Sequence, residues 1–451
     1  MNMLVIGNGF DLALGLPTKY KDFLDFTYMM HDVYNHTHYS NMDTVLKCIY
    51  NFGKILMDPT NLHSEAKKKR LQTFSDRFKE AFEDESSSRV LSDFHYCAYN
   101  NIWINYFQEK YDKNLLVGEN WIDFEKEIKT VIQLFESDIF DIKETVATVL
   151  DKDYTGKIEI AKRVEELRSM RMEHTKRELS VEAYNKFREV LREEFDKFVM
   201  ALGIYLDYFV PRYDNDEKFS HDICQLINDK KNKPDCVLCF NYVNNFNIMY
   251  RDEPSNTSNT CFIHGMVNYV NEARQFIKRP LTAEDEARYI NELIKKNNMI
   301  IGFDEYLNDD KKNDKLDFVY YRKFFQRISK GTGSQYLDWL DEYKTRIKNK
   351  PVYPSNGETR EEVYSRMILQ EAKKKPHHVF IFGHSLDATD KDIFRDLFLR
   401  EPNDTKITIY YHDEDAHERI IANLIRMLTQ EVVIKKTHGI DPDIEFIAQA
   451  N

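Results

Sequence analysis

The sequence predicts an α/β protein in which a doubly wound parallel sheet is interrupted by a large helical insertion. Three observations carry that expectation. A short apolar block ended by glycine lies at residues 3–6, and comparable blocks ended by Gly, Asn or His resume only at 236. From there they alternate with segments of helical period, the pattern of strands joined by crossover helices. Between the two, from Phe23 to about Pro234, the chain is charged, poor in glycine and helical in texture. The expected domains are 1–30 with 230–451, forming a discontinuous sheet domain, and 31–229, forming the insertion.

The elements follow in order. Met3-Leu4-Val5-Ile6 is apolar throughout, as a strand buried on both faces must be. It runs into Gly7-Asn8-Gly9. In the insertion, Asn120 is placed to cap a helix that begins Trp121-Ile122-Asp123-Phe124-Glu125. Tyr184, Phe187, Leu191, Phe195, Phe198, Leu202, Tyr205 and Phe209 recur in steps of three and four along one stripe, which defines a long amphipathic helix stopped by Pro211. Strands are then expected at 236–240, 261–263, 299–301, 378–382 and 406–411, with helices at 316–328, 335–348, 390–400 and 416–429. Polar stretches at 254–260 and 308–315 are expected to be mobile loops.

Composition narrows the function. The chain has 451 residues, with 64 basic against 76 acidic, a formal charge of −12. That balance argues against broad or sequence-specific nucleic-acid binding. Large aromatics (30 Phe, 27 Tyr) outnumber 14 glycines, which suits a helix-rich core. No apolar run reaches the roughly 20 residues that span a bilayer. The start lacks a basic region and cleavage site, so the expectation is a cytoplasmic protein without a membrane partner. Six cysteines in so long a chain suggest reduced thiols. Cys236 and Cys239 have metal-like spacing, but no second pair follows, and two buried strand cysteines are the favoured reading. No metal is expected.

Four segments carry chemistry. Gly7-Asn8-Gly9 after a strand, with Gly15-Leu16-Pro17-Thr18 before a helix, could offer backbone N–H groups to an anion or could simply turn. Asp11 would repel a phosphate, so a sugar hydroxyl suits it better. Asn241, with Tyr242, ends the second strand, where an amide can orient a water or a ribose hydroxyl. His264 and Gly265 end the third. Gly383-His384-Ser385-Leu386 follows a later strand, with Asp387 and Asp390 beyond. The adjacent His384 and Ser385 suggest a serine hydrolase, but the closing glycine of a nucleophile elbow is missing. Each strand end alone could be structural; their convergence on one sheet edge favours a ligand site.

These segments, GNGFDLALGLPTKYKDF, CFNY, FIHG and FGHSLDATD, resemble the bacteriophage abortive-infection AbiH family from the first residues to about Asp392. Trp121 to Glu125 and Phe324-Phe325-Gln326-Arg327 share in the likeness. More distantly, the order of motifs is similar to the Rossmann-like, sirtuin-like NAD-binding fold. That resemblance implies that Gly7 and Gly9 take the phosphates of NAD and that Asn241 and His264 form the catalytic pair at the nicotinamide ribose. It also implies that Gly383 and Ser385 hold the adenosine ribose. The wider ligand set would add Asn8, Asp11, Gly15, Pro17, Thr18, Tyr242, Gly265, His384 and Asp390. Two departures stand out. Val243 occupies a position usually acidic, and Asp11 replaces a serine. No zinc ribbon is present either, so peptide deacylation is disfavoured.

The leading expectation is therefore an anti-phage protein that binds NAD and hydrolyses its nicotinamide–ribose bond, with the insertion mediating regulation, a homo-oligomer or a defence partner. A non-catalytic sensor of NAD or an ADP-ribose-type nucleotide is the alternative. A nuclease-like toxin using Asp11, Asp123, Glu125 and Asp390 on a metal is the lesser one, since those carboxylates are scattered.

Overall fold

The computed structural model describes residues 1–36, 65–83, 85–112, 121–137, 181–210, 233–250, 259–276, 283–303, 316–348, 377–399, 405–439 and 442–449. The chain divides into two compact units. One is a sheet unit (Met1–Ala13, Tyr213–Gly265, Gly331–Asn451) and the other a helical unit (Leu14–Arg212, Met266–Lys330). Residues 14–30 and 266–330, grouped with the sheet from sequence, cluster with the helices. Asn120, Pro211, most of the 254–260 loop, the 308–315 loop and the Asp123 side chain lie outside the description.

The sheet unit contains β1 (Asn2–Ile6), α1 (Asn8–Ala13), β2 (Cys236–Cys239), α2 (Asn245–Tyr250), β3 (Thr260–Phe262), α3 (Gln335–Lys348), β4 (His378–Phe382), α4 (Lys391–Leu399), β5 (Lys406–Tyr411), α5 (Glu414–Leu428), α6 (Gln430–Thr437) and β6 (Ile444–Ala448). All six strands are parallel, in the order β3-β2-β1-β4-β5-β6. The order reverses beside β1, which pairs with β2 on one side and β4 on the other. Ligands of open α/β sheets gather outside the carboxyl ends of the strands at such a reversal.

Continuous apolar strands follow from burial on both faces. On one face Met3, Val5, Leu238, Val379, Ile381, Ile407 and Ile409 pack against Tyr336 and Leu340 of α3, Phe394 and Leu397 of α4, and Ile420 and Leu424 of α5. Leu4, Ile6, Val237, Cys239 and Phe380 alternate with them and are buried as well. Each such side chain contributes about 1.5–3 kcal/mol on leaving water. Cys236 and Cys239 are buried in β2 as free thiols, Cys236 within the core cluster. Helix α5 starts where it does because Asp413 accepts the Ala416 N–H at 2.7 Å, with Glu414 and Asp415 in its first turn.

Strand β6 was not singled out from sequence, while residues 299–301 were expected as a strand and are not one. Met299, Ile300 and Ile301 are fully buried, but side chains take the place of a ladder. Gln326 receives the Ile301 N–H on its Oε1 at 3.3 Å and returns its Nε2 to the Ile301 carbonyl at 2.7 Å. Lys330 donates to the Met299 carbonyl. The helix expected over 316–328 is likewise divided, into a 3-10 stretch Leu316–Tyr321 and an α-helix Lys323–Lys330. The break falls at Arg322, which bridges to Phe303.

The helical unit is built on aromatic packing. Trp103 meets Phe195 at 5.2 Å and Tyr321 at 5.7 Å, and Phe107 meets Phe124 at 3.9 Å. Asn101 caps the helix Ile102–Asp112 by accepting the N–H groups of Trp103 and Ile104. The long helix Val181–Ile204 ends in a π turn, Tyr205–Phe209. That turn buries Asp207, which accepts the Val270 N–H at 2.8 Å.

Candidate active site

Four neighbouring parallel strands end on one edge, so the topology brings together the loops after β1, β2, β3 and β4. Backbone bonds stitch these exits: Phe240 N–H to Ile6 O at 2.9 Å, and Ile263 N–H to Cys239 O at 2.8 Å. Gly265, at φ +72°, turns the chain directly after His264, its N–H donating to Phe262 O.

The glycines after β1 and β4 meet each other. Gly7 N–H donates to Phe382 O at 3.1 Å and Gly9 N–H to Gly383 O at 2.8 Å. A Cβ on Gly7 would stand 2.6 Å from Gly383 O, and one on Gly9 2.6 Å from Gly383 Cα. One on Gly383 would stand 2.4 Å from Phe10 N. The two loops thus touch backbone to backbone, and the N–H groups of Gly7 and Gly9 are already taken by carbonyls. These glycines have a packing role at the place where phosphate contacts were expected.

The central acid–base group is a carboxylate between two imidazoles. Asp390 Oδ1 lies 3.2 Å from His264 Nε2, and Asp390 Oδ2 lies 3.6 Å from His384 Nε2. Asp390 and His264 are 6% and 5% exposed. His384 accepts the Leu386 N–H on Nδ1 at 2.9 Å, which leaves its proton on Nε2, facing Asp390. With His264 Nε2 also turned to the carboxylate, Nδ1 is the basic atom of that ring. Phe240 packs edge-on to both imidazoles, 5.5 Å from His264 and 4.3 Å from His384. Its ring stacks on Phe394 at 5.2 Å.

Asp390 therefore does more than the ligand contact expected of it. It orients the histidine. Neither nitrogen of His384 is directed at Ser385, which is exposed and whose carbonyl accepts from Asn423. A His384–Ser385 catalytic dyad is not formed. Leu386 holds a positive φ of +56° because its side chain is fully buried in the sheet core while its N–H is held by His384.

Asp11 is a second buried acid at this edge, 1% exposed. Asn245 donates to its Oδ1 at 2.9 Å. Burial pushes the carboxyl up to about 7, against the opposing effect of the Asn245 and Asn241 amides. Asp11 Oδ2 and Asn241 Oδ1 are buried with no hydrogen-bond partner among the described residues. Tyr242 lies 6.2 Å from the His264 ring, and Asn8 opens α1. Sequence reasoning missed Asn245, although it stands four residues after Asn241 in an Asn-rich run and opens α2.

Gly15, Pro17 and Thr18 belong to the helical unit. There Pro17 O accepts the Tyr205 hydroxyl at 2.8 Å, and Thr18 N–H closes a turn on Leu16 O. Glu125 is occupied too, in a buried pair with Lys323 at 2.8 Å. Among the described residues, no group of three or more His, Cys, Asp or Glu could hold a metal ion. None of the described helices is long and apolar enough to cross a membrane.

The strand order defines an α/β protein with a six-stranded, all-parallel sheet, and one edge of it gathers the buried side chains of His264, Asp390, Asn241 and Asp11. The model of one family, bacteriophage abortive infection AbiH, matches residues 3–411. The chain belongs to that family, and its process is anti-phage abortive infection. No curated protein and no solved structure shows significant similarity to it.

Proposed function

We propose that the protein cleaves NAD at the nicotinamide–ribose bond, as an NAD glycohydrolase acting in abortive infection with a sirtuin-like placement of its ligand. One observation carries the reading: the buried His264–Asp390 pair, 3.2 Å apart, stands on the strand edge that also carries Asn241. Loss of nicotinamide leaves an oxocarbenium-like ribose, so the protein must hold the sugar and deliver water. Asp390 fixes the His264 ring, Nδ1 accepts the proton of the attacking water or of a ribose hydroxyl, and Asn241 positions that group. The amides of Gly7 and Gly9 are satisfied within the protein, so the sugar end, and not the pyrophosphate, is where these loops act on NAD.

The test is to incubate purified protein with NAD, with and without phage extract, and to measure free nicotinamide. His264→Ala and Asn241→Ala are each expected to slow release by about 10²–10⁴-fold. Variants as fast as wild type refute the assignment. Val243, standing where an acid is usual, favours a second reading as a nucleotide sensor. Tight NAD binding without nicotinamide release selects that one.

A further inference from the structure

The buried carboxyl of Asp11 has no part in the chemistry above, and it stands beside Asn241, which does. Asp11 Oδ2 and Asn241 Oδ1 both seek a donor, while Asp11 Oδ1 is already held by Asn245 Nδ2. A buried acceptor left without a donor costs on the order of 1–3 kcal/mol, so such a pair is kept where something fills it. Two acceptors in one place repel a phosphate or a carboxylate and invite a group that donates twice.

We propose that Asp11, Asn241 and Asn245 form a subsite for a ribose diol, one hydroxyl donating to Asp11 Oδ2 and the other to Asn241 Oδ1. This rests on the reading of the edge as a nucleotide site and identifies what is recognised there: the sugar's hydroxyls. Asn245 is a positioning residue, since it fixes the carboxyl so that Oδ2 faces the ligand.

Binding is thereby coupled to a proton. Without ligand the carboxyl titrates at about 7, because burial disfavours its charge. The groups acting on it are the neutral amides of Asn241 and Asn245, and the neighbouring Cys239 thiol is itself kept neutral by burial. A donated hydroxyl hydrogen bond stabilises the carboxylate, so the carboxyl proton passes to the buffer as the diol binds.

Calorimetric titration of the full chain with NAD, and separately with ADP-ribose, reads this in buffers of different ionisation enthalpy. Proton release is expected to be largest near pH 6 and to fall away as pH rises through the Asp11 titration toward pH 8. Asp11→Asn, which keeps the shape, is expected to abolish the release and to weaken binding at pH 8 by about 10–100-fold. Inorganic pyrophosphate, which has no diol, is expected to give no Asp11-dependent signal.

Buffer-independent heats in the wild type, undiminished release in Asp11→Asn, the same signal from pyrophosphate, or no binding of either ribonucleotide overturns the proposal. Nicotinamide measured on the same samples separates it from the hydrolase reading. Proton-linked binding without cleavage supports the diol subsite and defeats the hydrolase. Cleavage with no Asp11-linked proton does the reverse.

Discussion

Replacing Gly383 by alanine tests whether the glycines serve contact between loops or approach of a ligand. The added Cβ would sit 2.4 Å from Phe10 N and 2.6 Å from Gly9 C, both backbone atoms that no rotamer change can move. Restoring ordinary contact requires the loops to part by about 1 Å, a distance at which the hydrogen bonds are lost. The 2.8 Å bond from Gly9 N–H to Gly383 O then breaks, and losing a hydrogen bond at the half-buried Gly9 costs about 0.5–1.5 kcal/mol. Holding an L-residue at φ +65° adds about 1–2 kcal/mol. The sum is about 1.5–3.5 kcal/mol, or a fall of roughly 3–14 °C in the unfolding midpoint of a unit this size. Gly7→Ala lacks the φ penalty and is expected to lose about half as much. Differential scanning calorimetry checks both. A Gly383→Ala midpoint within about 2 °C of wild type refutes the packing role. So does a Gly7→Ala protein of full stability that no longer binds NAD.

Asp390→Asn is expected to lower nicotinamide release by about 10²-fold with little change in KM, since the ring of His264 loses its orienting charge and not its contact with substrate. Lys323→Met is expected to cost up to about 3–5 kcal/mol in denaturant unfolding by removing a charge partner of the buried Glu125, and adding Glu125→Leu is expected to recover most of it. Stability should also depend on pH with two opposing slopes. Asp11 titrates at about 7 when folded against an ordinary 3.8, so the folded state holds the extra proton between them, and stability falls as pH rises through that window. His377, pushed down to about 4 by burial from 6.5, loses stability as pH falls from 6.5 toward 4. The two windows overlap between about 4 and 6.5, where the contributions oppose each other, so urea midpoints over that range are expected to rise more steeply with pH in Asp11→Asn and less steeply, or to fall, in His377→Gln.

Five of the six strands were legible because burial on both faces demands unbroken apolar runs. β6 was not, since as an edge strand it mixes buried Ile444 with exposed Glu445 and Ala448. Residues 299–301 misled in the opposite way: their burial is complete, but Gln326 and Lys330 supply the bonds that a neighbouring strand would. At the site, His264 and Asn241 could be picked out from the strand ends that carry them. The role of Asp390 could not, because its partnership with His264 depends on the order of strands and on the turn after β4. The contact of Gly7 and Gly9 with Gly383 was equally hidden, as a strand followed by Gly-x-Gly reads the same whether it faces a phosphate or another loop.

The place of β1 at the centre of the sheet has a consequence for synthesis. Its Asn2 N–H bonds to Asp235, 233 positions away, and Met1 O lies 2.9 Å from His377 Nδ1 across 376 positions. At about 5–20 residues per second, roughly 10 s or more pass before its first neighbour leaves the ribosome, and roughly 20–75 s before its second. Through that interval this apolar strand has no ladder to join, while the helices encoded between can already pack. A chain released early would carry that strand uncovered, so truncation after the helical segment should yield aggregation and not a partial sheet.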